Sequence, residues 1–322
     1  MRWIARIPGH LFVFFLFVVT CWAQAYPSKP VRIVIPFPPG GPADLLARLV
    51  GQQLSERWSQ PVIPDNRPGA NTIIGTEAVV KAPADGYTLL LTVDSTVTVN
   101  SLLYSDLPYD PLRDLAPITL VGWSRTVIVV NAATGPKSLP ELVQFARANP
   151  GKANFAAGTI TSRLAGELFK RQLGLDIVFV PYNGSASALR GLLSDGVTFL
   201  VVAASAAMPY MQSGQFRAIA TTGAQRIVSL PEVPTVAEAV DLPGFDSSVW
   251  MGVFAPARTP AEIVQQLNRD ITQIMSQPQI RERLASLGLD AATNSPAELT
   301  AVIRKEMELW LPVIRQGGIK AD

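Results

Sequence analysis

One stretch near the start of the chain could hold an anion. An apolar run begins at Val31 and is followed by Pro36-Phe37-Pro38-Pro39-Gly40-Gly41, after which a helical pattern opens at Ala43. This order is typical of a strand, a rigid turn and a helix N-terminus. The first N–H groups of a helix lack partners within it and lie at the positive end of its dipole, so they favour an anion. The pattern predicts a carboxylate cradle, with an ordinary tight turn as the alternative.

The same stretch does not match a nucleotide-binding loop. A dinucleotide fold needs G-x-G-x-x-G, and a P-loop needs a lysine and a hydroxyl residue after its last glycine. Neither spacing occurs around Gly40 and Gly41. If Gly41 caps the helix, Asp44 falls at its third position, where a carboxylate commonly satisfies backbone donors. We therefore favour capping over ligand contact for Asp44.

A second candidate helix start lies at Gly158-Thr159-Ile160-Thr161-Ser162, after a short strand around Phe155. Its hydroxyls and exposed N–H groups could hold a second carboxylate. The alternative is that Thr161 or Ser162 only caps the helix that follows.

Two further loops carry polar residues. Asp94, Ser95 and Thr96 follow an apolar strand, at the carboxyl end where open α/β sheets bind ligands. In the loop that begins at Asn66, Arg67 could pair with a ligand or brace the turn, and we favour bracing. These positions complete the candidate site residues that the pattern itself indicates.

The first 25 residues resemble an export signal. Arg2 and Arg6 carry its charges, an apolar run follows from Leu11, and Ala23-Gln24-Ala25 fits a cleavage site. We expect cleavage near Ala25, a periplasmic location and no stable membrane insertion afterwards. An uncleaved anchor and lipidation at Cys21 are the alternatives.

Removal of this leader would take away much enzyme chemistry. The only histidine, His10, and the only cysteine, Cys21, lie within it. The remaining chain has no Ser-His-Asp or Cys-His nucleophile, no zinc site of the usual ligand types and no disulfide. Without Arg2 and Arg6, 25 basic residues face 25 acidic ones, so no bulk positive charge favours nucleic acid. We expect no cofactor, no metal site and no catalytic residue.

The elements that must position these residues alternate along the chain. Amphipathic helical patterns separate strand-like runs, which indicates α/β lobes with largely parallel sheets. The strand-like runs after Val31 cover residues 62–64, 88–92, 118–121, 126–130, 177–180, 197–202 and 217–221. The length favours two lobes, and the absence of a linker indicates a chain that crosses between them more than once.

The last part of the chain has a different pattern. From Pro260 onward it is almost wholly helical, with Ser295 predicted as an N-cap and Pro296 at the first helical position. Trp250 and Phe254 lie in an apolar run before it and are interpreted as core or hinge packing.

With these residues in view, the chain resembles the tripartite tricarboxylate transporter substrate-binding family, also called the Bug family of periplasmic solute receptors. The likeness covers nearly all of the chain after the leader. It rests on ordered motifs at the family's spacing: Tyr26-Pro27-Ser28-Lys29-Pro30, Pro36 to Gly41 with Asp44 and Arg48, Asn66 to Ala70 with Gly75, Ala82 to Leu89, Leu107 to Pro111, Val180-Pro181-Tyr182, Leu230 to Thr235, and Ala255-Pro256.

The resemblance implies an α/β, two-lobe periplasmic-binding-protein-like (type II) fold with a cleft between the lobes. Lobe one would span residues 26–124 and 251–322, and lobe two residues 125–250. The receptor would act as a monomer and close on a small carboxylate, without catalysis, for a membrane transporter. The pattern and the resemblance together give these candidate ligand contacts: Phe37, Pro39, Gly40, Gly41, Ala43, Asp44, Asp94, Ser95, Thr96, Gly158, Thr159, Ile160, Thr161 and Ser162.

The chain departs from the family pattern at the predicted cleft. The loop from Gly158 is shorter than usual and carries Arg163 where a histidine is common. Asp94 stands where small residues are common, and Val202 where an aspartate is frequent. If Asp94 faces the cleft, it would favour an amino or hydroxyl group over a further carboxylate. Two other functions stay open: an orphan solute sensor that signals to a membrane receptor, and a hydrolase on the same fold.

Overall fold

The computed structural model describes residues 26–320, so the predicted leader and the possible lipidation site at Cys21 lie outside the described residues. The strands, in chain order, are β1 (Val31–Ile35), β2 (Val62–Asn66), β3 (Thr88–Val93), β4 (Leu115–Ser124), β5 (Thr126–Asn131), β6 (Asn154–Ala157), β7 (Val178–Pro181), β8 (Phe199–Ala203), β9 (Phe216–Thr221), β10 (Val249–Pro256) and β11 (Leu289–Asp290). Every strand-like run identified in the sequence overlaps one of them.

The helices surround these strands. They are α1 (Pro42–Trp58), α2 (Ile73–Val80), α3 (Asp94–Val97), α4 (Val99–Leu103), α5 (Pro111–Asp114), α6 (Leu139–Ala148), α7 (Ile160–Gln172), α8 (Ser185–Leu193), α9 (Ala204–Gln212), α10 (Val236–Val240), α11 (Ala261–Met275), α12 (Pro278–Ser286) and α13 (Pro296–Gln316). Helix α13 begins as predicted, with Ser295 as N-cap and Pro296 in the first turn. Among residues 26–320, no helix is both long and apolar enough to cross a membrane.

The strands form two sheets. The first has the order β11-β4-β10-β3-β1-β2, and the second has the order β7-β6-β8-β5-β9. The prediction of largely parallel sheets is wrong: four of the nine strand pairs are parallel and five are antiparallel. All five antiparallel pairs involve β4, β5 or β10, which are the strands that lead into or out of the crossings between the two sheets.

Each sheet is covered on both faces, which explains why its strands read as continuous apolar runs. In β1, Val31, Ile33 and Ile35 pack into one cluster with α1 and α11, while Val34 packs on the other side. In β5, Val127 and Val129 pack on one side of the second sheet, and Ile128 and Val130 pack on the other. Side chains alternate across a strand, so two covered faces require apolar residues at every position.

Two segments connect the sheets. The chain passes from β4 to β5 at Arg125 and returns before β10. Buried Arg125 bridges the two crossings, since its guanidinium donates to Ser248 Oγ at 2.9 Å and to Asp290 Oδ2 at 2.8 Å. Trp250 and Phe254 of β10 are fully buried, which confirms their interpretation as packing residues.

Helix α13 contacts the cores of both sheets. Its first half places Leu299 and Ile303 against Trp250 of the first sheet, and its second half places Trp310 and Val313 in a cluster of the second sheet. We retain lobe limits at residues 124/125 and 250/251 as a proposal, in which α13 is shared and does not belong to lobe one alone.

Candidate functional site

Elements of both sheets enclose one uncharged cavity of about 590 Å³, which we call the central cavity. Eight of its wall residues carry hydroxyl groups, and none of the wall residues within 26–320 is charged. The wall consists of Phe37, Pro38, Pro39, Gly41, Pro42, Ala43, Val93, Ser95, Ser124, Thr126, Thr159, Ile160, Thr161, Ser162, Ser185, Ala203, Ser205, Ala206, Val249 and Met251.

Four helices of at least nine residues begin at this wall. Helix α1 comes from the first sheet's half of the molecule, and α7, α8 and α9 come from the second. Each contributes residues of its first turn or its N-cap to the wall. Because helix N-termini present free N–H groups and partial positive charge, the central cavity is suited to negative groups although no cation lines it.

The start of α1 leaves its donors free. Gly41 is the N-cap in extended conformation, and it has no side chain that could accept from the helix. Pro42 has no N–H, so the first unpartnered donors along the helix are Ala43 and Asp44. Gly41 and Ala43 line the central cavity, as the resemblance implied. This part of the wall is the segment for which the sequence predicts a carboxylate cradle.

Asp44 holds this cradle in shape and does not line the cavity. Its Oδ2 accepts from the Gly40 N–H at 2.9 Å and from Arg48 Nε at 3.0 Å, and its Oδ1 accepts from Asn66 Nδ2 at 2.9 Å. The same Asn66 amide donates to the Phe37 carbonyl at 3.1 Å. The Gly40 N–H already donates to this carboxylate, so Gly40 and Asp44 stabilise the loop and do not offer groups to a ligand.

These hydrogen bonds also decide the charge of Asp44. Burial opposes its ionisation, but donation from Arg48, Gly40 and Asn66 outweighs burial and lowers its pKa below the ordinary value. The buried carboxylate is therefore ionised at neutral pH. Arg67 braces its turn as predicted, since its Nε donates to Asp65 Oδ2 at 2.8 Å at the end of strand β2.

Replacing Asp44 with asparagine is expected to destabilise the protein by about 1–3 kcal/mol at pH 7, because charge-assisted bonds to a buried acceptor are lost. A carboxyl with a lowered folded pKa contributes stability above its unfolded pKa near 4 and loses it as pH falls. The difference between Asp44→Asn and wild type should thus shrink toward pH 3, as measured by urea unfolding. Asp85→Asn, which removes an exposed ion pair with Lys29, is the control and should have little effect. A constant difference across pH would contradict this role.

The start of α7 is built around Thr159. Its Oγ1 accepts from the Ser162 N–H at 3.2 Å, so the N-cap is Thr159 and not Thr161 or Ser162 as the sequence alternative had it. The reason is that the helix begins at Ile160, whereas an N-cap at Thr161 or Ser162 would place the helix start after that residue. Thr159, Ile160, Thr161 and Ser162 all line the central cavity.

Gly158 is a packing residue. It is not part of the wall, and a Cβ at this position would lie 2.2 Å from the Ser185 nitrogen at the start of α8. The missing side chain allows two helix starts to approach each other closely. Gly158 thus shapes the cavity through the positions of α7 and α8.

The residues that follow β3 divide into three roles. Ser95 lines the central cavity. Thr96 is buried and does not: its hydroxyl accepts from Thr92 at 2.7 Å and donates to Thr72 at 3.0 Å. Asp94 lies in a separate small void behind the wall. Of these three predicted contacts, only Ser95 reaches the cavity surface.

Several wall residues were missed by sequence reasoning. Ser185 and Ser205 stand in the first turns of α8 and α9. Helix α8 follows β7 after a short loop and α9 follows β8 directly, so a strand-to-helix boundary was the signal that could have identified them. Ser124 and Thr126 flank the crossing at Arg125 and carry no comparable local signal. Within residues 26–320, no three His, Cys, Asp or Glu side chains gather as a metal-binding group.

Comparisons with known proteins agree on one family. A family model described as the tripartite tricarboxylate transporter family receptor matches residues 46–319. Protein BugT of Bordetella pertussis is 36% identical, and the match covers 92% of this chain and 92% of BugT.

Solved structures of similar proteins include two with bound acids. Rpa4515 of R. palustris, solved with adipate, is 33% identical, has a TM-score of 0.78 and is matched over 92% of this chain and 99% of its own. MatC of Rhodopseudomonas palustris, solved with bound malate, is 29% identical, has a TM-score of 0.73 and is matched over 90% and 100%. The expected two-lobe α/β fold is confirmed by these likenesses.

Proposed function

This chain belongs to the tripartite tricarboxylate transporter receptor family, and on that premise we propose that it captures a small organic carboxylate in the central cavity. One observation carries the proposal: four helix N-termini from two sheets converge on a single cavity with an uncharged wall. Such a cavity offers many neutral donors to an anion, and its described wall residues include no carboxylate that would pair with a cation. The adipate bound by Rpa4515 and the malate bound by MatC are acids of this class.

The wall residues also suggest which groups would hold each part of the ligand. Backbone N–H groups of α1 would hold one carboxylate, and the hydroxyls and N–H groups of α7, α8 and α9 would meet the other end of the ligand. Phe37, Ile160, Val249 and Met251 would cover its apolar body. Because the two ends are held by different lobes, binding would favour the closed arrangement of the lobes.

We further propose that the protein works in the periplasm as a non-catalytic receptor, exported by the leader at residues 1–25. Its cargo would pass to a membrane transporter. The family's name supports transport over a sensor, and among the described wall residues no histidine, lysine or carboxylate stands ready to activate a hydroxyl as a hydrolase would need.

A thermal-shift experiment on ligand-stripped protein tests the proposal. A ligand at 100 times its dissociation constant adds about 2.7 kcal/mol to the unfolding free energy, which should raise Tm by roughly 5 °C. We expect shifts of this size with adipate, malate or related acids. The corresponding diamides, which match in size and lack charge, are the controls and should not shift Tm. Equal shifts with acids and amides, or no shift across a panel of mono-, di- and tricarboxylates, would overturn the proposal.

A further inference from the structure

Two carboxyl groups with little solvent contact have Trp250 as a common neighbour where the lobes meet: Asp94 directly follows Val93, which pairs with Met251, and Glu306 accepts a hydrogen bond from the Trp250 side chain. Asp94 begins α3 and is only 3% exposed, and its Oδ1 accepts from the Ser95 N–H at 2.5 Å. Glu306 lies on α13, with Oε1 accepting from Trp250 Nε1 at 2.7 Å. Its other oxygen, Oε2, is buried without a hydrogen-bond partner. Neither carboxyl forms a salt bridge with a cation of the described residues.

This position lies directly behind the central cavity. Asp94 shares a small void with Thr161 of α7, with Ser247 and Ser248 of the return crossing, and with Trp310 of α13. Thr161 also lines the central cavity, and so does Ser95, whose N–H donates to Asp94. One layer of residues thus separates Asp94 from the space proposed for the ligand, and Glu306 lies one helical turn before Trp310, which lines the same void as Asp94.

The surroundings disfavour two negative charges. Burial raises the pKa of Asp94 to about 7, although the Ser95 N–H opposes the rise. Burial also raises the pKa of Glu306 well above its ordinary value, and the Asp94 carboxyl raises it further. Asp246 acts in the same direction, whereas the hydrogen bond from Trp250 and the charge of Lys305 act against it.

Charged groups on the neighbouring helix do not neutralise the acids. On α7, Arg163 lies 4.5 Å from the ring centre of Phe179, and Glu167 is paired with Lys170 at 3.3 Å. The other elements packed against α3 and α13 are β3, β4, β10 and α4, and none of these four contains a charged residue. Near neutral pH, a state in which both carboxyls carry a negative charge is therefore disfavoured.

We propose that Asp94 and Glu306 form a proton-binding pair between the lobes, and that capture of an anion in the central cavity is coupled to uptake of a proton by this pair. The coupling rests on the proposed function, since it requires an anionic ligand. A bound carboxylate would add a negative charge on the other side of the wall from Asp94, so the pair would hold its proton more tightly. By linkage, the proton then strengthens anion binding by the same factor.

The coupling predicts the direction of the pH dependence. Above the pKa of the pair, affinity for a carboxylate should fall with rising pH, by up to about tenfold per pH unit if one full proton is taken up. In the ligand-free protein, the folded pair holds a proton that the unfolded chain releases. Its contribution to stability is therefore present at pH 4 and is lost as pH rises toward 7.

Calorimetry with adipate and with malate tests the coupling. Titrations at pH 7 in phosphate and in Tris, which differ in ionisation enthalpy, report the number of protons taken up on binding. We expect net uptake by the wild type, and retained binding with a smaller uptake by Asp94→Asn and by Glu306→Gln. Glu167→Gln, which changes another buried carboxyl that is paired with Lys170, should keep the wild-type uptake. Binding with equal uptake in all four proteins would overturn the coupling.

A measurement without ligand tests the pair by itself. Thermal unfolding of wild type and Asp94→Asn should diverge between pH 4 and pH 7, with the wild type losing more stability as pH rises. Parallel pH profiles would overturn the pair. If no acid binds while the profiles diverge, the proposed function fails and the proton-binding pair stands.

Discussion

Replacing Gly41 with aspartate is expected to abolish carboxylate binding without unfolding the protein. Gly41 is the N-cap of α1 with φ −80° and ψ 170°, and a Cβ there would meet nothing within 4 Å. Aspartate fits this conformation and is a preferred N-cap residue, so its carboxylate should accept from the free donors of the first turn. These are the donors that the proposed function assigns to the ligand.

The loss has an electrostatic part and a competitive part. Two like charges 4 Å apart repel by about 4 kcal/mol at an effective dielectric constant of 20, which corresponds to between two and three orders of magnitude in affinity. Helix stability should rise by roughly a few tenths of a kcal/mol. Isothermal titration with the acid that gives the largest thermal shift measures the first effect, and urea unfolding measures the second.

Two neutral substitutions separate the causes. Gly41→Asn competes for the same donors without charge, so we expect about a tenfold loss of affinity. Gly41→Ala fits the space and accepts nothing, and should bind within about threefold of wild type. If Gly41→Asp bound as tightly as Gly41→Ala, the α1 N-terminus would not be an anion site.

The second large effect is expected from Gly158→Ala. The added Cβ would lie 2.2 Å from the Ser185 nitrogen and 2.3 Å from the Gly184 carbonyl carbon, both of which are backbone atoms. The start of α7 or of α8 must therefore move. Overpacking of this kind costs about 1–3 kcal/mol, which should lower Tm by roughly 2–4 °C per kcal/mol. Both helix starts line the central cavity, so affinity should fall by more than about tenfold.

Gly51→Ala is the matched control for Gly158→Ala. Gly51 is also buried, but it lies inside α1, and a Cβ there would meet Val62 Cγ1 at 3.4 Å, an ordinary contact. Since alanine is the better helix former, we expect Gly51→Ala to keep or raise Tm and to leave binding unchanged. A Gly158→Ala protein with wild-type affinity and Tm would show that the loop has room to adjust.

The order of elements was predictable because both sheets are covered on two faces. That arrangement places apolar residues at every strand position, as in β1 and β5, and amphipathic stripes on the helices between them. Strand direction was not predictable in the same way. It depends on how the chain crosses between the sheets, and the single residue Arg125 between β4 and β5 has no pattern that reveals a change of sheet.

The residues of the candidate site also differed in how far they could be predicted from local sequence. Gly41 and Ala43 were accessible to sequence reasoning because a strand, a turn and a helix start lie within one short segment. Ser124, Val249 and Met251 reach the cavity from long strands that are defined by pairing with distant parts of the chain. The burial of Asp94 behind the wall depends on Thr161 and Trp310, which are remote in sequence. The sequence therefore could not show whether Asp94 faces the cavity or lies behind its wall.

The uncharged wall of the central cavity has a consequence for how the protein can diversify. If the anion is held by main-chain donors of four helices, most single substitutions cannot delete the anchor, because every residue type except proline supplies an N–H. The hydroxyl and apolar side chains around it can then vary and select different acids while affinity for the carboxylate persists. A receptor of this construction should be robust to mutation in what it holds and evolvable in what it recognises. Libraries at Ser95, Thr126, Ser185 and Ser205 are the natural place to redesign its ligand preference.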